Sequence, residues 1–250
     1  MKLSHAAYSA FIAASALLSA QLVRAAEPRA VIELFTSQGC SSCPAADRLL
    51  GELTRDPTLI TLSLAVDYWD YLGWKDTLAL HGHANRERAY ANARGDREVY
   101  TPQAVVNGKV AVLGSDKSAI EGAIAQSRKD AAPLSLPVTL TIADGKVTAD
   151  IADANGNNSE QRSGEVWLCP ITGKVSVKIE RGENSGHLLT YYNVVRRWVK
   201  LGDWAGKAQS FSIPLSDVTN AEIDSYAVLV QSGVAAKPGP VIGAATAAVH

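Results

Sequence analysis

The chain has 250 residues, 47% apolar and 20% charged, with a net charge of −1. That length suits one large or two modest globular domains. The near-neutral balance gives no reason to expect a nucleic acid partner or a polybasic membrane-binding surface.

The first 25 residues read as an export signal. Lys2 supplies the basic start, Ala10 to Ala20 the apolar core, and Val23-Arg24-Ala25 a small-residue cleavage site. An uncleaved anchor is the alternative. No later run approaches the ~20 apolar residues of a spanning helix, so the mature chain should not insert in a membrane. The expected location is periplasmic or secreted, where disulfide chemistry is available.

The stretch from Ala30 to Leu50 opens with a short apolar run that predicts a buried strand. After Gly39, Cys40 and Cys43 stand three apart at the start of a predicted helix over 41–54. A cysteine there lies beside unsatisfied N–H groups that favour a thiolate, and its partner lies one turn on, within reach of a disulfide. Leu59 to Val66 predicts a second buried strand. Asp67, Trp69, Asp70 and Trp74 follow its carboxyl end, where α/β folds tend to place ligand sites, or they fill an ordinary packed loop. Trp74 to Arg94 has helical spacing. Gln103–Val106 and Lys109–Leu113 flank the hairpin turn Asn107-Gly108, and Ser115 to Arg128 closes the series as a helix.

Residues 130–137 read as a linker, after which the apolar period becomes two. Short strands are predicted at Val138–Ile142, Val147–Ile151, Val166–Pro170, Val175–Ile179, Leu189–Val199, Phe211–Leu215 and Tyr226–Val230, with 240–249 as a weaker last one. The expected division is 1–25 signal peptide, 26–132 an α/β domain in the order β-α-β-α-β-β-α, and 133–250 an all-β sandwich-like domain.

The first strand, the Gly-Cys-Ser-Ser-Cys-Pro helix start and Thr101-Pro102 before the hairpin resemble the thioredoxin superfamily. The resemblance implies a thioredoxin-like domain, with Cys40 as the exposed attacking thiol, Cys43 as the buried resolving thiol and Pro102 as a cis-proline. The motifs 33–47, 66–74, 100–103, 182–184 and 193–196 look like an uncharacterised family of bacterial secreted proteins that joins such a domain to a β-rich one. Gly39 and the Ser-Ser pair depart from the standard thioredoxins, so no redox potential carries over. Glu33 stands seven before Cys40, one further than the superfamily's buried acid.

The function these residues predict is thiol–disulfide exchange on protein thiols or disulfides, with an unidentified redox partner and no cofactor or resident metal. Thr101, next to Pro102, would present backbone to an extended substrate, and Glu33 would take the proton of Cys43 if buried behind it. Two other readings stay open. One is a binding module with a static Cys40–Cys43 disulfide. The other is a copper-handling protein that uses the cysteines with His81 or His83. Cys169, in an apolar strand, reads as a buried free thiol, and the loop 181–187 as a hairpin turn or, alternatively, a binding site.

Overall fold

The computed structural model describes residues 28–96, 98–129, 134–154 and 163–249. The expected signal peptide, the boundary at 132/133 and most of the polar loop 153–164 lie outside them. The first half contains β1 (Ala30–Thr36), α1 (Cys43–Leu53), β2 (Leu59–Ala65), α2 (His81–Arg94), β3 (Gln103–Val106), β4 (Val110–Leu113) and α3 (Lys117–Lys129). The second half contains β5 (Val138–Ala143), β6 (Lys146–Ile151), β7 (Gly164–Lys178), β8 (Leu188–Val195), β9 (Val199–Trp204), β10 (Gln209–Pro214), the short α4 (Leu215–Val218), β11 (Ser225–Val234) and β12 (Lys237–Ala248).

The expected fold class, a thioredoxin-like β-α-β-α-β-β-α domain followed by a separate all-β sandwich, is not what forms. Strands hold 44% of the described residues and helices 22%, so the molecule is mostly β. Nine strands from both halves join one mixed sheet in the order β12-β11-β7-β8-β2-β1-β3-β4, with β9 added on β7. The seam is β2 against β8, parallel through Ser63 and Val194, and Asn193 Nδ2 reinforces it by donating to Thr61 Oγ1 at 2.9 Å. At the far end Val241 N–H of β12 donates to the carbonyl of Asn107, in the β3–β4 turn. The sheet therefore curls until its two ends nearly meet.

α2 lies inside that curl. Ala84 and Tyr90 of α2 share one apolar cluster with Val31 and Phe35 of β1, Leu62 and Leu64 of β2, Val195 of β8 and Val241 of β12. β1 alternates, as a strand must: Ile32 and Leu34 face outward, onto α1 and α3. On the outer side of β7, β11 and β12, the three-stranded sheet β10-β6-β5 covers Val166, Leu168, Val228 and Ile242. This is where a two-layer β arrangement does exist. The misreading has a clear origin. Tyr226 to Val230 is buried on both faces, by α2 within and by the small sheet without, and an apolar run of that kind does not reveal which elements cover it.

Several local readings fail or hold for identifiable reasons. The helix expected from Trp74 begins only at His81, because Leu80 is extended and Asp76 Oδ1 accepts the N–H of Leu78 in a turn of its own. The strands expected at Val166–Pro170 and Val175–Ile179 merge into one long strand, β7, which ends one residue short, at Lys178. The stretch 189–199 divides into β8 and β9. The turns Asn107-Gly108 and Asp144-Gly145 form with positive φ at both central residues, as tight hairpins require. Gly51 of α1 faces the ring of Tyr192 on β8, where a Cβ would lie 2.4 Å from a ring carbon, so the helix packs directly on the second half of the sheet.

Candidate functional site

Cys40 and Cys43 are joined by a disulfide at the start of α1, with their Cα atoms 5.4 Å apart. Ser37 to Cys40 turn sharply, with Cys40 N–H on the carbonyl of Ser37 and Cys43 N–H on that of Cys40. Ser41 and Ser42 are exposed. Cys40, expected as an exposed thiol, retains only 2% exposure in this oxidised form, and Cys43 retains none.

Three segments build the surroundings. The Thr101–Pro102 bond is cis. The Thr101 hydroxyl accepts the indole N–H of Trp69 at 2.8 Å, and Trp69 lies close against Gly39, where an added Cβ would stand 3.0 Å from Cβ of Trp69. Trp74 donates to Oε1 of Gln38 at 2.8 Å, and Asp76 Oδ2 accepts the N–H of Gln38 at 2.7 Å. Asp70 supports this turn by accepting the N–H of Asp76. Of the expected groove residues, Trp69, Asp70 and Trp74 thus converge on the cysteine turn. Asp67 instead pairs with the exposed His81 at 2.9 Å.

The third segment comes from the second half. In the loop between β7 and β8, Asn184 Nδ2 donates to the carbonyls of both Gln38 and Cys40, each at 2.9 Å, and Glu183 accepts the N–H of Ser41 at 3.3 Å. Residues 181–187 thus lie in the hairpin connection between antiparallel β7 and β8, as expected, and that connection is also seated on the cysteine turn.

Glu33 is buried but does not stand behind Cys43. It shares the inward face of β1 with Val31 and Phe35, whereas α1 packs on the outward face. There it takes two bonds from Arg86, at 2.5 and 3.1 Å, and one from Tyr90 at 2.6 Å. Arg86 also donates to Gln231 of β11 and lies 4.0 Å over the Trp198 ring. This network ties β1, α2 and β11 together inside the curl. Cys169 is the buried free thiol beside it, and burial pushes that thiol well above its ordinary range.

The acid on the cysteine side is Asp47. It follows Cys43 by four residues, so the two share one face of α1. Asp47 is 3% exposed, and the Thr36 hydroxyl is the hydrogen-bonding group that acts on its carboxyl, too loosely placed to make a well-formed bond; the Tyr191 hydroxyl and the Asp76 carboxyl are also near. Burial pushes its pKa up to about 8, so the group is mostly protonated at neutral pH. Asp76 is also raised by burial, to about 6. The signal was present in the sequence: Asp47 interrupts an otherwise apolar helix face of Ala46, Leu49, Leu50 and Leu53.

The two histidines do not join the cysteines. His83 is buried within the curl with Nδ1 on the Ala65 carbonyl, and burial lowers its pKa to about 4. Among the described residues no cluster of three His, Cys, Asp or Glu side chains suits a metal ion. Nor is any helix among them long and apolar enough to cross a membrane.

Comparison with known proteins gives a family and no activity. No curated protein matches the chain. A crystal structure of an Agrobacterium tumefaciens protein from a structural genomics programme is similar, with 32% identity and a TM-score of 0.77, covering 88% of this chain and 93% of that one. Residues 31–231 match the family described as protein of unknown function DUF1223, a span that includes both the disulfide and the Asn184 loop. The chain belongs to the DUF1223 family.

Proposed function

We propose that the protein is an exported thiol–disulfide oxidoreductase that acts on protein thiols or disulfides in the periplasm. The observation that carries this reading is a cysteine pair at a helix start with a buried carboxyl one turn behind it, whose burial favours the protonated form. In the oxidising direction a substrate thiolate attacks Sγ of Cys40, and Cys43 leaves as the thiolate. Asp47 gives Cys43 its proton. A second substrate thiolate then attacks the substrate sulfur of the mixed disulfide and releases Cys40. The substrate gains a disulfide, and two electrons stay on the pair until a redox partner removes them. The reducing direction runs the same steps backwards, with Asp47 taking the proton from Cys43. Side chains four apart on a helix have Cβ atoms about 5–6 Å from each other, a gap one water can bridge for proton transfer.

Glu33 has no part in this scheme, because it lies across the sheet. Thr101 and Trp69 form the wall on which a substrate strand would lie. The burial of both cysteines favours a second reading, a binding module in which the disulfide is static. Trapping separates the two. Cys43→Ala should accumulate mixed disulfides with exported proteins, seen as reducible bands on a non-reducing gel, and Cys40→Ala should accumulate few. No adducts from Cys43→Ala, in cells where another oxidoreductase trap succeeds, would leave the static reading.

A further inference from the structure

The loop that covers the cysteine turn is built to stay in place. Ile179, at its base, is fully buried, and its N–H and carbonyl pair with His187 and Gly186. Asn184 is 6% exposed, and Nδ2 spends both hydrogens on the carbonyls of Gln38 and Cys40. Its neighbour Glu183 is exposed, and its carboxylate sits on the N–H of Ser41, just before α1. α1 offers little else of that sign. Its first turn has no acidic residue, and Ser42 at the N-cap makes no side-chain capping bond.

Reduction changes the charge at this point. The disulfide is neutral, whereas reduction frees a Cys40 thiol beside the helix start, where N–H groups favour the thiolate and where Glu183 already places a carboxylate. A thiolate there would stand one residue from the Ser41 N–H that Glu183 accepts, so two negative groups would lie at one turn of the chain. The other charged groups of the loop and its surroundings are Glu180 and Arg181 on the loop itself, Asp76, whose Oδ2 accepts the N–H of Gln38, and His187, whose Nδ1 lies 3.2 Å from the Asn184 carbonyl. None of them accepts the N–H of Ser41 as Glu183 does.

We propose that Glu183 and Asn184 form a redox-responsive latch: they close over the oxidised pair, and the thiolate of Cys40 displaces Glu183 when the pair is reduced. This rests on the exchange reading and assigns a task to the second half of the chain. Both are positioning residues. Asn184 fixes the Cys40 carbonyl, and Glu183 opposes the thiolate and so holds the pair toward the disulfide.

The test uses the full chain equilibrated with reduced and oxidised glutathione, whose thiol supplies the electrons. Glu183→Gln keeps the shape and removes the charge. It should raise the equilibrium constant for reduction about two- to fivefold, the usual effect of one charge at a helix end, and lower the Cys40 pKa read from alkylation rate against pH. Glu180→Gln, three residues earlier on the same loop, should change neither. Amide exchange at residues 183–187 should be faster in reduced than in oxidised protein, and Asn184→Ala should be as fast when oxidised. The same equilibrium constant for Glu183→Gln and Glu180→Gln, or equal loop exchange in both redox states, overturns the latch. Glutathione equilibrates with the pair whether or not any protein is a substrate, so the latch can fail while trapping succeeds, and the reverse.

Discussion

Replacing Asp47 by Asn tests the state of the buried carboxyl directly, because Asn has the same shape and does not titrate. In the unfolded chain the Asp47 carboxyl titrates near 3.8, and in the native protein near 8. Between those values the native state holds one more proton than the unfolded state, so stability is full below 3.8 and is lost as pH rises through 8. The slope is about 1.4 kcal/mol per pH unit. From pH 5 to pH 7 the wild-type protein therefore loses about 3 kcal/mol through this group, a sizeable share of the roughly 5–15 kcal/mol that holds a domain folded. Asp47→Asn escapes that loss. Urea unfolding of the oxidised proteins at pH 5, 6 and 7 should show the variant gaining about 3 kcal/mol on the wild type across the range. Glu87, which burial also raises, titrates in both proteins and cancels in the difference, whereas Asp76 is coupled to Asp47, and its pKa should fall somewhat once that carboxyl is gone. Two parallel curves would refute the reasoning. The native carboxyl would then be ionised at neutral pH and would have no proton to give Cys43.

Arg86→Met should cost about 3–5 kcal/mol, since it leaves the fully buried Glu33 carboxylate without its cation, and the double variant with Glu33→Gln should recover much of the loss. Equal destabilisation of the single and double variants in chemical denaturation would argue against a buried ion pair. His83 works in the opposite sense to Asp47: its depressed pKa of about 4 contributes stability above pH 6.5 that is lost as pH falls through 4. His83→Asn should flatten the acid limb by about 3 kcal/mol between pH 6.5 and 4, measured by the same unfolding series.

What the sequence revealed was local. The disulfide-competent spacing of Cys40 and Cys43, the Asn107-Gly108 turn and the aromatic loop at 67–74 are each written in a few consecutive residues, and the structure gathers Trp69, Trp74 and Thr101 around the cysteine turn. What it concealed was which faces meet. Glu33 and Asp47 are both acids in apolar surroundings, and only the alternation of β1 against α1 and α2 decides which one stands near Cys43. Asn184 is separated from Cys40 by 144 residues, and no local pattern marks it as the residue that holds the Cys40 carbonyl. The curl of the sheet escaped for the same reason, since it depends on single contacts such as Ser63 with Val194 and Asn107 with Val241.

The distance along the chain between the disulfide and its cover also sets an order of events. Cys40 and Cys43 stand three apart in sequence, so closing the bridge costs little chain entropy and needs nothing beyond the first turn of α1. Asn184 reaches them only after β7 and β8 have found the edge of β2, a pairing of high contact order and hence slow. During synthesis the two thiols emerge well over a hundred residues ahead of the loop that buries them. Until β7 and β8 dock, the Asn184 loop does not cover the pair, and its thiols are open to an oxidant or a partner thiol.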